Sequence, residues 1–285
     1  MSPPLAACPL CLSTSEPQLE PDKTWFSGFR GDAKLVRCVD CSLVYLRSSE
    51  PEAVETRSED YVHAKIVDSF SQQREQEQLF LRRLAWAKPR VAGRRVLDIG
   101  CGNGTFLLAA REAGWQPYGL DNSNTARELL ARSGVEVWVA DAAEHLREHP
   151  GSYDLIHMNH TLEHIPRASE TVIAARSALA PGGLLYVEVP NEFDNLVYRT
   201  LERLGRKRKA GSAFGRSKAP SQPSPHLYFF NKKSLARLAM RAGFTSFAVH
   251  ARRREPFELN AAEAAATLSA WLGSGPFLTL TAQVG

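Results

Sequence analysis

From residue 96 onward, short apolar runs alternate with segments whose apolar residues have helical spacing. The runs that predict strands are "RRVLDIG", "PYGLD", "VEVWVAD", "YDLIHMN" and "GLLYVEVPN". The segments that predict helices are "GTFLLAAREAG", "SNTARELLARSG" and "ASETVIAARSALAPGG", each ending at a glycine. A further helix, "NKKSLARLAMRAGF", precedes two more strands, "TSFAVHARR" and "GPFLTLTAQVG". This alternation indicates βαβ units and therefore an α/β fold with a parallel sheet.

The chain before residue 91 has a different pattern. Residues 49–90 read as a charged linker followed by one or two helices between Tyr61 and Lys88. In the second half of that segment, Glu77, Leu81, Leu84 and Lys88 share one face. Their narrow apolar stripe predicts a helix that is only partly buried. Pro89 is expected to end it.

Four of the five cysteines form two C-x2-C pairs, Cys8 with Cys11 and Cys38 with Cys41. Two such knuckles can supply a tetrahedral set of thiolates to Zn²⁺. The alternative is a pair of disulfides or unrelated buried thiols. "AKLVRC" and "CSLVYL" read as strands on either side of the second knuckle. Residues 1–48 therefore predict a small zinc-ribbon-like module, in which four protein ligands leave no open position for chemistry on the metal.

The run "VLDIGCGNGTF" joins a predicted strand to a predicted helix through a glycine-rich turn. Its pattern is D-x-G-x-G-x-G, formed by Asp98, Gly100, Gly102 and Gly104. Glycines allow a tight turn and a close approach of the backbone to a ligand. Acids also end the next two strands, at Asp121 and Asp141. The pattern differs from the dinucleotide form G-x-G-x-x-G in spacing. Alternatively, the three acids are helix caps or solvated strand ends.

With this glycine turn, and with "LEH" and "VPN" after the fourth and fifth strands, the chain resembles the class I S-adenosylmethionine-dependent methyltransferases. The resemblance covers about residues 60–285 and places the methyltransferase domain at 91–285. It implies a Rossmann-like, seven-stranded, mostly parallel sheet whose last strand is antiparallel. It also implies contacts with the cofactor, S-adenosylmethionine. Asp98 and the glycines would border the methionine portion, Asp121 the ribose hydroxyls and Asp141 the adenine amine, with the Ala142 amide beside it.

The stretch "NHTLEHIP" contains H-x-x-E-H, the spacing of an inverted zinc peptidase. A peptidase needs both histidines within one helix, whereas Pro166 follows His164 closely and a strand precedes the motif. The segment is therefore interpreted as a strand-end loop that shapes the pocket. Asn159 and His160 would lie at the methionine end of the cofactor. Glu163 and His164 would face or support the substrate side, or be hydrogen-bonded packing residues.

A candidate general base lies in "PSPHLYFF". In sugar C-methyltransferases that also carry a four-cysteine zinc module, a histidine before L-x-Y-F is taken as the base, and His226 occupies that place here. Pro225 replaces the acid usual in that family. A histidine packed beneath the preceding loop is the alternative. Residues 192–225 predict a substrate lid, and eight of them between 199 and 218 are Lys or Arg against one acid.

The basic stretch 199–218 is typical of contact with an anion: a phosphorylated, nucleotide-linked or lipid-linked acceptor, or an anionic membrane surface. A solvated charge run is the other interpretation. We expect methyl transfer to oxygen or carbon of a small-molecule acceptor, which would be a sugar, a glycolipid or a biosynthetic intermediate. RNA methylation is disfavoured because the basic charge is local and N/D-P-P-Y is absent. A non-catalytic cofactor-binding module is the third alternative. The chain shows no long apolar run or basic leader, so a cytoplasmic location is expected.

Overall fold

The computed structural model describes residues 7–20, 34–47, 73–192, 226–252 and 275–285. Its strands are β1 (Gln18–Leu19), β2 (Lys34–Arg37), β3 (Val44–Arg47), β4 (Arg95–Ile99), β5 (Gln116–Asp121), β6 (Glu136–Val139), β7 (Tyr153–Asn159), β8 (Leu179–Pro190), β9 (Tyr228–Phe229), β10 (Ser246–Arg252) and β11 (Phe277–Gln283). Its helices are α1 (Gln73–Ala87), α2 (Thr105–Glu112), α3 (Asn124–Leu130), α4 (Ala142–Glu148), α5 (Ala168–Ala178) and α6 (Lys232–Arg241), with 3-10 turns at Lys88–Arg90 and Leu162–His164.

The larger sheet has seven strands in the order β10-β11-β8-β7-β4-β5-β6. Strands β4 to β8 pair in parallel. β11 runs antiparallel to both β8 and β10. The predicted seven-stranded α/β sheet with an antiparallel last strand is therefore confirmed. β5 and β6 lie on one side of β4, whereas β7 and β8 lie on the other side. The carboxyl ends of β4 and β7 therefore border the switch point at which open α/β sheets bind ligands.

Apolar residues cover both faces of this sheet, as its near-continuous apolar strands predict. One core packs α5 and α6 against the sheet through Val172, Ala175 and Leu238, which are fully buried. The other core packs α1 and α2 through Leu84 and Leu107. The helices packed on both faces hold the strands in place, so the loops at the carboxyl ends of the strands start from fixed positions.

Helix α4 was missed in the sequence analysis, because its seven residues follow directly on the strand that ends in "VAD". His145 of α4 is buried, and its Nε2 lies 2.8 Å from the Tyr153 hydroxyl. Burial, with a smaller contribution from the charge of His149, lowers the pKa of His145 to about 4. The folded protein therefore keeps this imidazole neutral at pH values where an unfolded chain protonates it.

We expect His145→Gln to flatten the pH dependence of stability between about pH 6.5 and 4. In this window the unfolded state binds a proton that the folded state does not, so the unfolding free energy falls as pH falls. One such proton gives a slope of about 1.4 kcal/mol per pH unit. Urea titrations at several pH values would measure the slope. A slope equal to that of the parent protein would contradict the prediction.

The smaller sheet joins the cysteine module to the methyltransferase region. Its order is β1-β2-β3-β9, all antiparallel, and β9 comes from residues that follow the predicted lid. The strands predicted on either side of the second knuckle are β2 and β3. Leu43 and Tyr45 of this module share a hydrophobic core with residues of the larger sheet. The boundary near residue 48 stays a prediction, but the module is not packed as a separate body.

Helix α1 buries one face, as predicted, but the stripe differs from the one read from the sequence. Phe80, Leu84 and Ala87 are buried, together with Arg83, whereas Lys88 is exposed. Pro89 lies in the 3-10 turn that follows the helix. The sequence pattern missed this face because a buried arginine interrupts it.

Three predicted features lie outside the described residues: the charged linker with the first part of the helical segment (49–72), the basic stretch 199–218, and the lid 192–225 apart from Glu192. Within the part of the chain that is described, no helix has the length and apolar character needed to span a bilayer.

Candidate active site

The glycine turn between β4 and α2 has a backbone that requires glycine. Gly100, Gly102 and Gly104 have φ values of +74°, +51° and +76°. A Cβ on Gly100 would lie 2.4 Å from the side chain of Thr161, and one on Gly104 would lie 2.4 Å from Leu130. Larger residues would therefore be strained and would clash. The turn brings its backbone against the loop after β7, at the edge of the sheet where a ligand is expected.

Asp121, at the end of β5, is tied to this turn. One carboxylate oxygen accepts a hydrogen bond from the Gly102 amide and the other from the Ser123 amide, each at 3.0 Å. Burial raises the pKa of Asp121, and these amides oppose the shift. A carboxylate has about four lone-pair sites, more than the two that these amides use. Its position and acceptor capacity fit the vicinal hydroxyls of a ribose.

Asp141 precedes helix α4, and its carboxylate caps that helix by accepting from the Glu144 amide at 3.0 Å. Arg167 approaches the same oxygen to 2.7 Å. Burial alone would raise the pKa of Asp141, but the hydrogen bond with Arg167 and the capped amides lower it. Asp141 therefore caps a helix, as the alternative given above predicted, and this role leaves the predicted contact with the adenine open as a prediction. Ala142 is the first residue of α4.

Asp98, at the end of β4, is almost completely buried and accepts a hydrogen bond from His157 Nδ1 at 2.7 Å. His157 Nε2 lies 3.3 Å from the Arg83 guanidinium, which can only donate. This contact selects the imidazole tautomer that carries its proton on Nδ1. Burial raises the pKa of Asp98 and lowers that of His157. The hydrogen bond from His157 therefore fixes the orientation of the Asp98 carboxyl group, which lies at the start of the glycine turn.

Arg83 links this pair to two other strand ends. Its guanidinium forms an ion pair with Glu188 of β8 and donates to Asn159 Oδ1 at 2.7 Å. The side chains of Arg83 and Glu188 are 5% and 6% exposed, so the pair is screened little by solvent. Arg83, His157 and Glu188 were not predicted as site residues from the sequence. Charged residues within otherwise apolar segments were the signal that could have revealed them.

The H-x-x-E-H segment forms no continuous α-helix. His160 has a φ of +53°, and only Leu162–His164 forms a 3-10 turn. His160 contacts Phe277 edge to face at 5.1 Å between ring centroids. The prediction of a strand-end loop is therefore confirmed, and the peptidase geometry is excluded. Glu163 is 1% exposed, and neither of its carboxylate oxygens accepts a hydrogen bond within the described residues.

His226 lies beside this turn and is paired with Glu192. His226 Nδ1 is 2.9 Å from Glu192 Oε2, and both residues are 8% exposed. The His164 and His226 rings are 4.7 Å apart between centroids. One ligand-capable atom from each of Glu163, His164 and His226 lies within 4.8 Å of the others. Both predicted catalytic histidines therefore share one cluster.

Glu192 was not singled out in the sequence. The acid expected immediately before His226 is replaced by Pro225, and the carboxylate instead comes from the end of β8, in "VPNE". An acid two residues after the strand was the available signal. Its partner could not be assigned because the two residues are 34 positions apart.

The four predicted zinc ligands converge. Cys8 and Cys41 Sγ are 3.6 Å apart, Cys11 and Cys38 Sγ are 3.7 Å apart, and all four atoms lie within 4.8 Å of one another. A tetrahedron with Zn–S bonds of about 2.3 Å has S–S edges of about 3.8 Å. A disulfide requires about 2.05 Å. The arrangement fits a structural Zn²⁺ ion and not a pair of disulfides.

The charge of the cluster also favours a cation. The hydrogen bond with Cys41 lowers the pKa of Cys8 to about 5, and the contact with Cys8, followed by burial, raises that of Cys41. A bound Zn²⁺ ion would permit all four to ionise, because a coordinating thiol is deprotonated.

Comparison with known proteins agrees with this architecture. A family model described as a methyltransferase domain matches residues 70–249. Ubiquinone biosynthesis O-methyltransferase of Aromatoleum aromaticum is 31% identical over 160 residues, covering 54% of this chain and 64% of that protein. The protein of the same name from Burkholderia vietnamiensis is 37% identical over 117 residues, covering 38% of this chain and 50% of that protein. The matched part of this chain thus spans between half and about two thirds of these relatives.

The fold has solved counterparts. A SAM-dependent methyltransferase of Thermotoga maritima has a TM-score of 0.52 at 20% identity, covering 80% of this chain and all of that one. The family model covers well over half of the chain, and the strand order and glycine turn are those expected from the sequence. The chain therefore belongs to the class I methyltransferase family, whose cofactor is S-adenosylmethionine.

Proposed function

We propose that this protein transfers the methyl group of S-adenosylmethionine to an oxygen atom of a small-molecule acceptor. The observation that carries the proposal is the buried Glu192–His226 pair beside the cofactor edge of the sheet. Oxygen is favoured over carbon because the two relatives described above are named O-methyltransferases. The acceptor's chemical class, including an anionic or lipid-linked one, stays a prediction from the basic stretch 199–218.

The cofactor would bind where the sequence placed it. Asp121 would accept the ribose hydroxyls, and Asp141 with the Ala142 amide would face the adenine. The glycine turn and Asp98 would border the methionine portion, with Asn159 and His160 at the same end. The sulfonium of the bound cofactor supplies an activated methyl group, so the protein's main tasks are alignment and exclusion of water.

His226 would take the proton that the acceptor loses. In an in-line displacement, an acceptor oxygen lone pair forms the new O–C bond, and the electrons of the S–C bond remain on sulfur. S-adenosylhomocysteine leaves as a neutral thioether, and the acceptor's proton passes to His226 Nε2. Glu192 accepts from Nδ1–H, which selects this tautomer and stabilises the imidazolium that forms.

Glu163 and His164 would bind the acceptor. A buried carboxylate without hydrogen-bond donors is costly, and a polar acceptor group can provide the missing donor. Glu163 lies next to the two histidines in the cluster. A hydroxyl held there would have its oxygen within reach of the base, which is the geometry that general base catalysis requires.

The proposal is tested by following a labelled methyl group from S-adenosylmethionine into a cell extract separated into nucleic acid, lipid and small polar molecules. We expect label in the lipid or polar fraction, in an acid-stable ether. Asp121→Asn should abolish labelling by weakening cofactor binding, whereas Glu112→Gln, which removes the charge of an exposed acid at the end of α2, should not. Label in RNA would overturn the proposal. Tight cofactor binding without label in any fraction would favour the non-catalytic alternative.

A further inference from the structure

The residue after His226 is held on both sides by main-chain hydrogen bonds. The Leu227 carbonyl accepts from the Leu46 amide of β3 at 3.0 Å, and the Leu227 amide donates to the Glu163 carbonyl at 2.9 Å. Tyr228 and Phe229 then pair with Tyr45 and Val44. Within the described residues, β3 is the strand partner of β9. The backbone at His226 is therefore fixed between the cysteine module and the 3-10 turn of the cluster.

The second cysteine knuckle makes a direct contact just beyond β9. Asn231 Nδ2 donates a hydrogen bond to the Ser42 carbonyl, and the Ser42 amide donates to the Cys38 carbonyl at 2.9 Å. Ser42 has a φ of +63°, a strained value for a serine, and it directly follows Cys41. A conformation of this kind persists only where its surroundings enforce it. Coordination of Cys38 and Cys41 to one Zn²⁺ ion would provide that constraint.

Apolar packing reinforces these hydrogen bonds. Leu43 is fully buried and belongs to the same hydrophobic core as Phe230 and Leu235. Arg241 at the end of α6 donates to the Leu10 carbonyl in the first knuckle. Both knuckles are thus attached to the segment from His226 to the end of α6.

We propose that the zinc-bound module is a positioning element for His226. The metal fixes the knuckle and β3, these fix the backbone of residues 227–231, and the imidazole is thereby aligned with Glu192 and the Glu163 turn. The catalytic consequence rests on the proposed role of His226 as the base. The metal itself takes no part in the transfer. The acceptor side of the site is therefore incomplete without the module.

The direct test follows the histidine side chains by NMR in the full-length protein labelled with ¹⁵N-histidine. The His226 signals are assigned by comparison with His226→Gln, and zinc is then removed with a thiol-specific mercurial and a chelator. We expect the His226 signals to shift or broaden, while those of His145, on α4, and His149, directly after it, stay in place and S-adenosylmethionine still binds. Unmoved His226 signals after complete zinc loss would overturn the proposal. Collapse of all histidine signals with loss of cofactor binding would also overturn it, because zinc would then hold the whole fold.

A point variant tests the same coupling with zinc in place. Asn231→Asp keeps the oxygen that caps α6 but replaces the amide donor with a carboxylate that repels the Ser42 carbonyl. We expect kcat to fall roughly fivefold, with the KM for S-adenosylmethionine and the zinc content unchanged. Asn124→Asp, the same change at an exposed residue of α3, should leave kcat unchanged. An unchanged kcat in Asn231→Asp would contradict the proposal.

The two proposals can fail separately. If His226→Gln retains full turnover but zinc removal displaces the His226 signals, the base assignment is wrong and the positioning inference stands. If His226→Gln loses turnover and zinc removal leaves the signals unmoved, the reverse holds.

Discussion

His226→Ala is expected to lower kcat by about 10²- to 10⁴-fold, the range typical for loss of a general base. The Kd for S-adenosylmethionine should stay unchanged, because the predicted cofactor contacts lie at the ends of β4, β5, β6 and β7 and do not include His226. The fall in kcat is expected because the acceptor oxygen keeps its proton until the transition state, and water in a largely buried site replaces the imidazole poorly as a base. Single-turnover kinetics with bound labelled cofactor would measure the chemical step directly.

Two variants accompany this measurement. Glu192→Gln keeps the size of the side chain but removes the charge that orients and stabilises the imidazolium, so its kcat should fall between those of the parent and His226→Ala. His250→Ala, at an exposed histidine of β10, should retain full activity. Unchanged turnover in His226→Ala would remove this residue from the mechanism.

Measuring turnover in the presence of a chelator distinguishes base catalysis by His226 from metal binding by the Glu163–His164–His226 cluster. Glu163, His164 and His226 are close enough to hold a divalent cation. We expect turnover to persist with a chelator too weak to remove the cysteine-bound zinc. Activity that disappears under those conditions and returns with an added divalent cation would make the three residues metal ligands.

Arg83→Ala is expected to lower the unfolding free energy by about 3–5 kcal/mol, the cost of leaving one partner of a buried ion pair uncompensated. Glu188 would keep its buried charge, and Asn159 Oδ1 and His157 Nε2 would lose their donor. Denaturant unfolding followed by circular dichroism would measure the change.

The matched control is Arg74→Ala, at an exposed arginine of the same helix, which should change stability by less than about 0.5 kcal/mol. Combining Arg83→Met with Glu188→Gln should recover part of the loss, because no buried charge then remains unpaired. Equal losses in Arg74→Ala and Arg83→Ala would contradict the importance of the buried network.

Local patterns were sufficient to predict most of the fold. Runs such as "YDLIHMN" contain seven residues that are mostly buried in the sheet, and the glycines that end the helices mark their limits. The glycine turn and the two cysteine pairs could also be recognised from the spacing of a few neighbouring residues. These features were identified because their physical cause is local.

Contacts across long sequence separations could not be predicted. Glu192 meets His226 only because β8 ends and β9 begins near the same turn, and Arg83 reaches Glu188 across 105 residues. Asp141 illustrates a different difficulty, since an acid at a strand end is chemically suited both to cap a helix and to bind a ligand. A single sequence shows residue types, and the partner that decides between such roles is set by packing.

The late strand β9 also determines the order in which the chain can fold during synthesis. Asn231 contacts Ser42 across 189 residues, so the cysteines leave the ribosome well before the strand that completes their sheet. At about 5–20 residues per second, that strand follows roughly 10–40 s later. During this interval β3 has an unpaired edge, and the thiols are the part of the module able to organise early by binding metal. Zinc capture thus precedes assembly of the acceptor site, and a nascent chain deprived of zinc exposes both reactive sulfur and an open strand edge.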